Sequence, residues 1–260
     1  MLLAIDIGNT NIKIGLFAGD VHRFTWSIST GVHRMPDEYA VTILEFLRIN
    51  NIPASAVTKG AISCVVPPLL TIFTEVLERY FNISPLVVGP GVKTGFRIRM
   101  DNPKEVGRDL IANAAGAITL YEKPIIIVAL GTATAFETIS KEGDYIGGAL
   151  APGIGIAAEA LYARTAALPR VELTRPGRVI GTNTQAAMQS GIMNGYAGLI
   201  DHIVTLIQEE LGQKATVVAT GGYSTIMGKE CHCFDHVNPN LTLIGIKTIH
   251  AINHEQEGRA

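Results

Sequence analysis

The sequence predicts an α/β protein built twice over. Short apolar runs of strand length alternate with stretches of helical period. One strand–glycine–strand figure also occurs in both halves. In the first half it runs Ile5-Asp6-Ile7-Gly8-Asn9-Thr10-Asn11-Ile12-Lys13; in the second it runs Val128-Ala129-Leu130-Gly131-Thr132-Ala133-Thr134-Ala135. The 260 residues are 47% hydrophobic and 17% charged, with 27 glycines. Charge this sparse, against about 25% in an average soluble domain, favours a well-buried sheet core and an apolar subunit face. The expected division is 1–117 and 118–256, two similar domains packed about a cleft.

In order, residues 2–7 and 11–17 read as strands around the turn Gly8-Asn9-Thr10, and 21–28 as a third strand. Apolar Tyr39, Ile43, Phe46 and Leu47 give helical spacing over 35–50, with Pro36 and Asp37 at its start. Residues 60–66 form a short buried strand stopped by Pro67 and Pro68, followed by a helix over 69–81 and a strand over 85–89. The second half repeats the order. A helix covers 109–121, a hairpin pairs 125–129 with 134–140, and a strand or turn begins at Tyr145. Helices follow over 154–165 and 184–211, a strand over 216–220 enters Gly221-Gly222, and a last helix covers 243–253. The tail after His254 is polar and expected to fray.

A net charge of −2 gives no electrostatic reason to expect nucleic acid or an anionic membrane as a partner. No apolar run reaches the roughly 18–20 residues of a transmembrane helix. The N-terminus meets Asp6 early and lacks a basic n-region, which argues against a signal peptide. Three cysteines, Cys64, Cys231 and Cys233, suit a reducing compartment better than a disulfide framework. The cytoplasm is the expected location.

The stretch from Asp6 to Lys13 suits a phosphate-binding hairpin. Gly8 lets the chain turn closely past a ligand, and successive amides in such a turn form an anion-binding concavity. Asn9 lies in the turn, Thr10 and Asn11 can donate, Lys13 supplies charge, and Asp6 can face a magnesium ion with its waters. An ordinary Gly-Asn hairpin is the plainer reading. The acid inside an apolar strand favours function, because an unpaired buried charge is costly. Gly131-Thr132-Ala133-Thr134 is a second candidate of the same shape, and Gly221-Gly222 could lie against a flat ligand such as adenine. Together they describe a nucleotide held between two similar domains.

Asp109, before a helix of small residues, reads either as a helix N-cap or as a general base for a substrate hydroxyl. Gly107 would allow that substrate close approach. Thr184 could cap the following helix or reach a ligand; local sequence favours the cap. Cys231, His232, Cys233, His236, His250 and His254 include plausible zinc ligands, but their spacing fits none of the usual pairs. The segment reads as a loop.

The chain resembles the type III pantothenate kinases, within the actin-like ATPase superfamily of sugar and acetate kinases. The likeness runs through Asp6-Ile7-Gly8-Asn9-Thr10-Asn11, Asn102-Pro103-Lys104-Glu105-Val106-Gly107, Gly131-Thr132-Ala133-Thr134, Gly147-Gly148-Ala149-Leu150-Ala151-Pro152-Gly153, Leu168-Pro169, Gly181-Thr182-Asn183-Thr184, Gln189-Ser190-Gly191 and Thr220-Gly221-Gly222. It covers nearly the whole chain. The resemblance implies a duplicated actin-like, ribonuclease H-like fold, a homodimer, and ATP-dependent phosphorylation of pantothenate, the first step towards coenzyme A. It makes Asp6 to Lys13 and Thr132 the holders of ATP phosphates, and Asp109 the base. Gly107, Arg108, Asp109 and Leu110 would line the pantothenate site, and Thr184 would contact substrate across the dimer. A divalent ion and a monovalent cation, potassium or ammonium, belong to the implied chemistry.

Four positions depart from the family pattern. Ala129 stands where an Asp helps hold the monovalent cation, and Leu110 where an Arg fixes the substrate, with Arg108 close by in sequence. Met100 replaces a Tyr and Ala135 a Thr. A second expectation stays open beside the kinase: a weakened or substrate-shifted homologue that binds nucleotide in a regulatory or other small-molecule role.

Overall fold

The computed structural model describes residues 1–254; the polar tail beyond His254 lies outside the described residues. The chain forms two units, each around a five-stranded sheet. The first holds β1 (Leu2–Ile7), β2 (Asn11–Ala18), β3 (Val21–Ser29), β4 (Lys59–Cys64) and β5 (Leu86–Val87) in the order β3-β2-β1-β4-β5. The second holds β6 (Ile125–Leu130), β7 (Ala133–Ile139), β8 (Tyr145–Pro152), β9 (Thr216–Thr220) and β10 (His236–Val237) in the order β10-β9-β6-β7-β8. Read from the other edge, the second order is the first. Each sheet has two antiparallel pairings followed by two parallel ones. The repeat expected from the two glycine turns is therefore a repeat of topology.

In the first unit, alternation along the strands sends Leu3, Ile5, Ile7, Ile12, Ile14, Leu16 and Ile62 to one face. There they pack against α1 (Pro36–Ile49) and α2 (Pro67–Phe81) through Tyr39, Ile43, Leu47, Phe73 and Leu77. On the other face Gly15, Ala4 and Ala61 stand in one register row. That small row lies beneath α7 (Leu241–His254), which packs on β1, β2 and β4. A Cβ at Gly15 would sit 3.0 Å from Leu243 Cδ1, so the sheet is bare where the helix lies on it. The helix α3 (Arg108–Leu120) is buried continuously from Ile111 to Ala117, which explains its run of alanine and glycine.

Sequence division and structural division differ. The boundaries 1–117 and 118–256 give the last helix to the second half, whereas α7 belongs with Met1–Phe96 and Asn102–Thr119 in the first unit. Residues Arg97–Asp101 belong with Leu120–Asn240. The cause of the first difference is the small-residue row, a long-range fit that no local pattern displays. Arg97–Asp101 join the second unit through the Arg99 amide, which donates to the Tyr145 carbonyl at 2.8 Å, and through the Arg99–Asp144 ion pair.

The second unit packs Ile126, Val128, Leu130, Phe136, Val217 and Ala219 against α4 (Ile154–Ala163) and α5 (Thr184–Leu211). The segment from Tyr145, whose sequence suits a strand or a turn, is the strand β8. The short helix α6 (Ser224–Met227) and the pairing of β10 were not expected, and β5 is shorter than the 85–89 run. Strand β4 ends at Cys64 rather than residue 66, because α2 opens at Pro67. No helix among the described residues is long and apolar enough to cross a membrane.

His250 is a buried polar group on α7, stacked on His254 with ring centroids 3.9 Å apart. Burial, then the charges of His254 and of Lys59 on β4, push its pKa down from 6.5 to about 4. Between those values the unfolded chain binds the proton at this site and the folded chain does not, so the contribution of His250 to stability falls as pH drops from 6.5 towards 4. Asp6, whose carboxyl is raised to about 7, contributes with the opposite sign over the same window, so the His250 effect is read as a difference. In urea unfolding, the stability of the parent relative to His250→Leu is expected to fall as pH drops from 6.5 towards 4.

Candidate active site

A row of three polar side chains crosses the first sheet. Asp6 on β1 stands opposite Lys13 on β2 and Ser63 on β4. Residues in register point to the same face, so a carboxylate, an ammonium and a hydroxyl line up beside the Gly8 turn. The Gly8 amide closes that turn by donating to the Asn11 carbonyl at 3.0 Å, and the Thr30 hydroxyl donates to the Gly8 carbonyl at 2.7 Å. Asn9, Thr10 and Asn11 are exposed.

Burial, then the charge of Asp109, push the Asp6 carboxyl up to about 7, against the downward pull of Ser63 and Lys13. Ser63 faces Asp6 without closing a well-formed hydrogen bond. Among the described residues, neither Asp6 Oδ1 nor Ser63 Oγ has a hydrogen-bond partner. Lys13 is pushed down by burial, with Asp6 opposing. A buried carboxylate oxygen without a donor is costly, and its chemistry fits a hydrated divalent cation.

Asp109 reaches this group from α3. It is not the N-cap: the Ile111 amide donates to the Gly107 carbonyl at 2.9 Å, which puts the cap at Gly107 and Asp109 inside the first turn. Its carboxylate accepts from its own amide and that of Leu110, while the stronger effect of burial pushes its pKa up. Gly107 is required sterically, since a Cβ there would stand 2.6 Å from Asp109 Oδ1. Arg108 lies half-buried along Gly89, where an added Cβ would meet its Nε at 3.5 Å, and within electrostatic reach of Cys64. Leu110 is half-buried beside them.

In the second unit the equivalent row is Ala135, Ala129 and Thr220. It carries no charge, and Thr220 Oγ1 is buried with no hydrogen-bond partner among the described residues. Backbone contacts gather the remaining predicted residues here. The Gly153 amide donates to the Thr132 carbonyl at 3.0 Å, and the Tyr223 amide to the Leu130 carbonyl at 3.1 Å. Gly221, at φ +93, presses on the Leu130 backbone, where a Cβ would come within 2.5 Å of the carbonyl oxygen. Thus the Thr132 turn, the start of α4 and the Gly221-Gly222 turn meet.

Thr184 lies elsewhere in that unit. It lines a pocket of about 710 Å³ with Leu161, Leu168, Thr182, Asn183 and Met188. The expected cap role falls to its neighbour: Asn183 Oδ1 accepts from the Ala186 amide at 2.9 Å. The Cys231 loop is tied down by Asp201, which accepts from the amides of His232 and Cys233. Burial pushes the Cys231 thiol up to about 12. Among the described residues, no group of three or more His, Cys, Asp or Glu is placed to hold a metal. Ser63 was missed from sequence; a serine inside an apolar strand was the available signal.

Residues 2–206 match the profile of the type III pantothenate kinases. A type III pantothenate kinase of Dehalococcoides mccartyi (strain CBDB1) is 49% identical over 252 residues, 97% of this chain and 96% of that one. This chain belongs to the type III pantothenate kinase family. The pantothenate kinase of Moorella thermoacetica is 47% identical over 253 residues, 97% of this chain and all of that one. Among solved structures, a Baf family protein from Campylobacter jejuni aligns with a TM-score of 0.59 at 20% identity, over 97% of this chain and 99% of that one. The inorganic polyphosphate/ATP-glucomannokinase of Arthrobacter sp. strain KM aligns at 0.51 and 15%, over 97% and 99%. Likeness at those identities speaks for the fold, the duplicated actin-like, ribonuclease H-like ATPase architecture. ATP use follows from membership of a kinase family.

Gly107→Ala is expected to displace the Asp109 carboxylate and lower kinase turnover on the order of 10²-fold. The KM for ATP should stay within about twofold, because the altered contact lies at Asp109. Steady-state kinetics with both substrates varied would check the split.

Proposed function

We propose that the protein transfers the γ-phosphoryl group of ATP to the primary hydroxyl of pantothenate, giving 4′-phosphopantothenate at the entry to coenzyme A synthesis. The observation that carries this reading is the approach of Asp109 to Asp6 within one unit, beside a turn of phosphate-binding shape. Asp109 is the general base: its carboxylate, raised by burial, takes the proton of the attacking hydroxyl. Gly8, Asn9, Thr10, Asn11, Lys13 and Thr132 hold the phosphates, and Gly221 and Gly222 receive the adenine.

Asp6 fits a divalent ion, magnesium, through its unpartnered buried oxygen. When bound, such an ion neutralises charge on the β- and γ-phosphates. Arg108 makes no ion pair among the described residues, and its guanidinium serves the substrate in the neighbourhood of Gly107 and Leu110. The row Ala129, Ala135 and Thr220 offers no carboxylate for a monovalent cation, so transfer proceeds without dependence on potassium or ammonium.

The active form is a homodimer, and Thr184 meets the substrate of the other subunit. In support, Leu161, Tyr162, Val179 and Ile180 are exposed apolar side chains, and Leu161 shares the Thr184 pocket. Along α5, Gly191, Gly195 and Gly198 meet nothing within 4 Å. The protein works in the cytoplasm, in keeping with three free cysteines. Nothing favours a nucleotide-binding protein without catalysis: the base, the first turn and the Gly-Gly turn are all kept.

The test is ATP-dependent phosphorylation of pantothenate by the purified protein, with and without potassium. Activity in both conditions is expected, with Asp109→Asn lower by about 10²–10⁴-fold and nucleotide binding retained. Ala129→Asp is expected to introduce potassium dependence. Phosphorylation of other acceptors but not of pantothenate would overturn the assignment.

A further inference from the structure

The base Asp109 sits on a helix whose position is fixed by a segment far away in sequence. On α3, Ala112, Asn113 and Gly116 lie three, four and seven residues after Asp109, on the same stripe of the helix. All three meet α7. The Thr242 hydroxyl donates to Asn113 Oδ1 at 2.7 Å, and Asn113 is only 3% exposed. A Cβ on Gly116 would stand 2.7 Å from the Leu241 carbonyl oxygen, and one on Gly245 would overlap the Ala112 carbonyl. The two helices therefore touch backbone to backbone, with a half-buried hydrogen bond fixing their register.

From α7 the contact continues to the sheet. Leu243 rests on Gly15, whose row with Ala4 and Ala61 lies two residues along the strands from the row of Lys13, Asp6 and Ser63. A contiguous packed path thus joins the sheet that carries Asp6 to the helix that carries Asp109. The path has little slack, since the helix contact is closed by main-chain atoms rather than adaptable side chains.

We infer that Thr242 and Gly245 are positioning residues for phosphoryl transfer, holding Asp109 at its working distance from Asp6 through α3. The inference rests on the reading of Asp109 as the base. It also lies beyond the segment that matches the family profile, which ends at residue 206.

Thr242→Val removes the hydroxyl and keeps the shape; Thr242→Ser keeps the hydroxyl; Gly245→Ala forces the helices apart. Thr242→Val is expected to lower kcat by about tenfold or more, with the KM for ATP and the melting temperature little changed. Thr242→Ser should recover most of the loss, and Gly245→Ala should lose more than either. Amide exchange over residues 108–113 is expected to quicken in Thr242→Val. A valine variant with unchanged kcat and unchanged exchange overturns the inference, as does a serine variant as impaired as valine. If the parent protein does not phosphorylate pantothenate, the assigned reaction fails. Exchange then decides the helix contact by itself: acceleration confined to that turn upholds it, and none overturns it.

Discussion

The constraint on which the first unit depends is the burial of one carboxylate inside an apolar strand. Asp6 lies among Ile5 and Ile7, which face the opposite side of the sheet into α1 and α2. A charge there is tolerable only with partners, and the unit supplies them from the two flanking strands. Lys13 and Ser63 come from the neighbouring strands as partners, while Asp109, from α3, comes within electrostatic reach as a second acid. The second acid makes the first harder to ionise. An enzyme gains from such an arrangement when a cationic ligand relieves both, and a fold intended for stability alone would avoid it.

Duplication makes a comparison within one molecule. The two sheets share their strand order and their glycine turns, yet the row beside the second turn is Ala135, Ala129 and Thr220. One unit has charged groups at the strand ends, while the other offers backbone amides and closely packed glycines. Gly153 and Gly221 lie where a side chain would strike the carbonyls of Thr132 and Leu130. Around its glycine turns the second unit is therefore shaped by main chain, whose form does not depend on protonation.

Much of this could be seen in the sequence, for definite reasons. The hairpins were legible because apolar strands flank each glycine, and α5 because its apolar period is long and begins after a group of capping residues. Which residue capped it was not, since Asn183 and Thr184 are both competent and only geometry separates them. Asp109 stands before an apolar run just as a cap would, and Gly107 takes that place because its carbonyl receives the Ile111 amide. The home of α7 was hidden for a different reason. Gly116 and Gly245 weaken helices locally, and their value appears only when two helices meet. Strand β10 is two residues long and α6 four, too short for any periodic signal.

The return of α7 to the first sheet bears on how the chain matures during synthesis. Every residue of the second unit, up to Asn240, leaves the ribosome before Leu241. Domains usually complete themselves in the order in which they are made, and here that order is reversed. The unit begun first waits, with its sheet face of Gly15, Ala4 and Ala61 uncovered, until α7 has been translated. The nascent chain thus carries an unfinished first unit through most of its synthesis, and a chaperone that recognises bare sheet faces has its longest opportunity there.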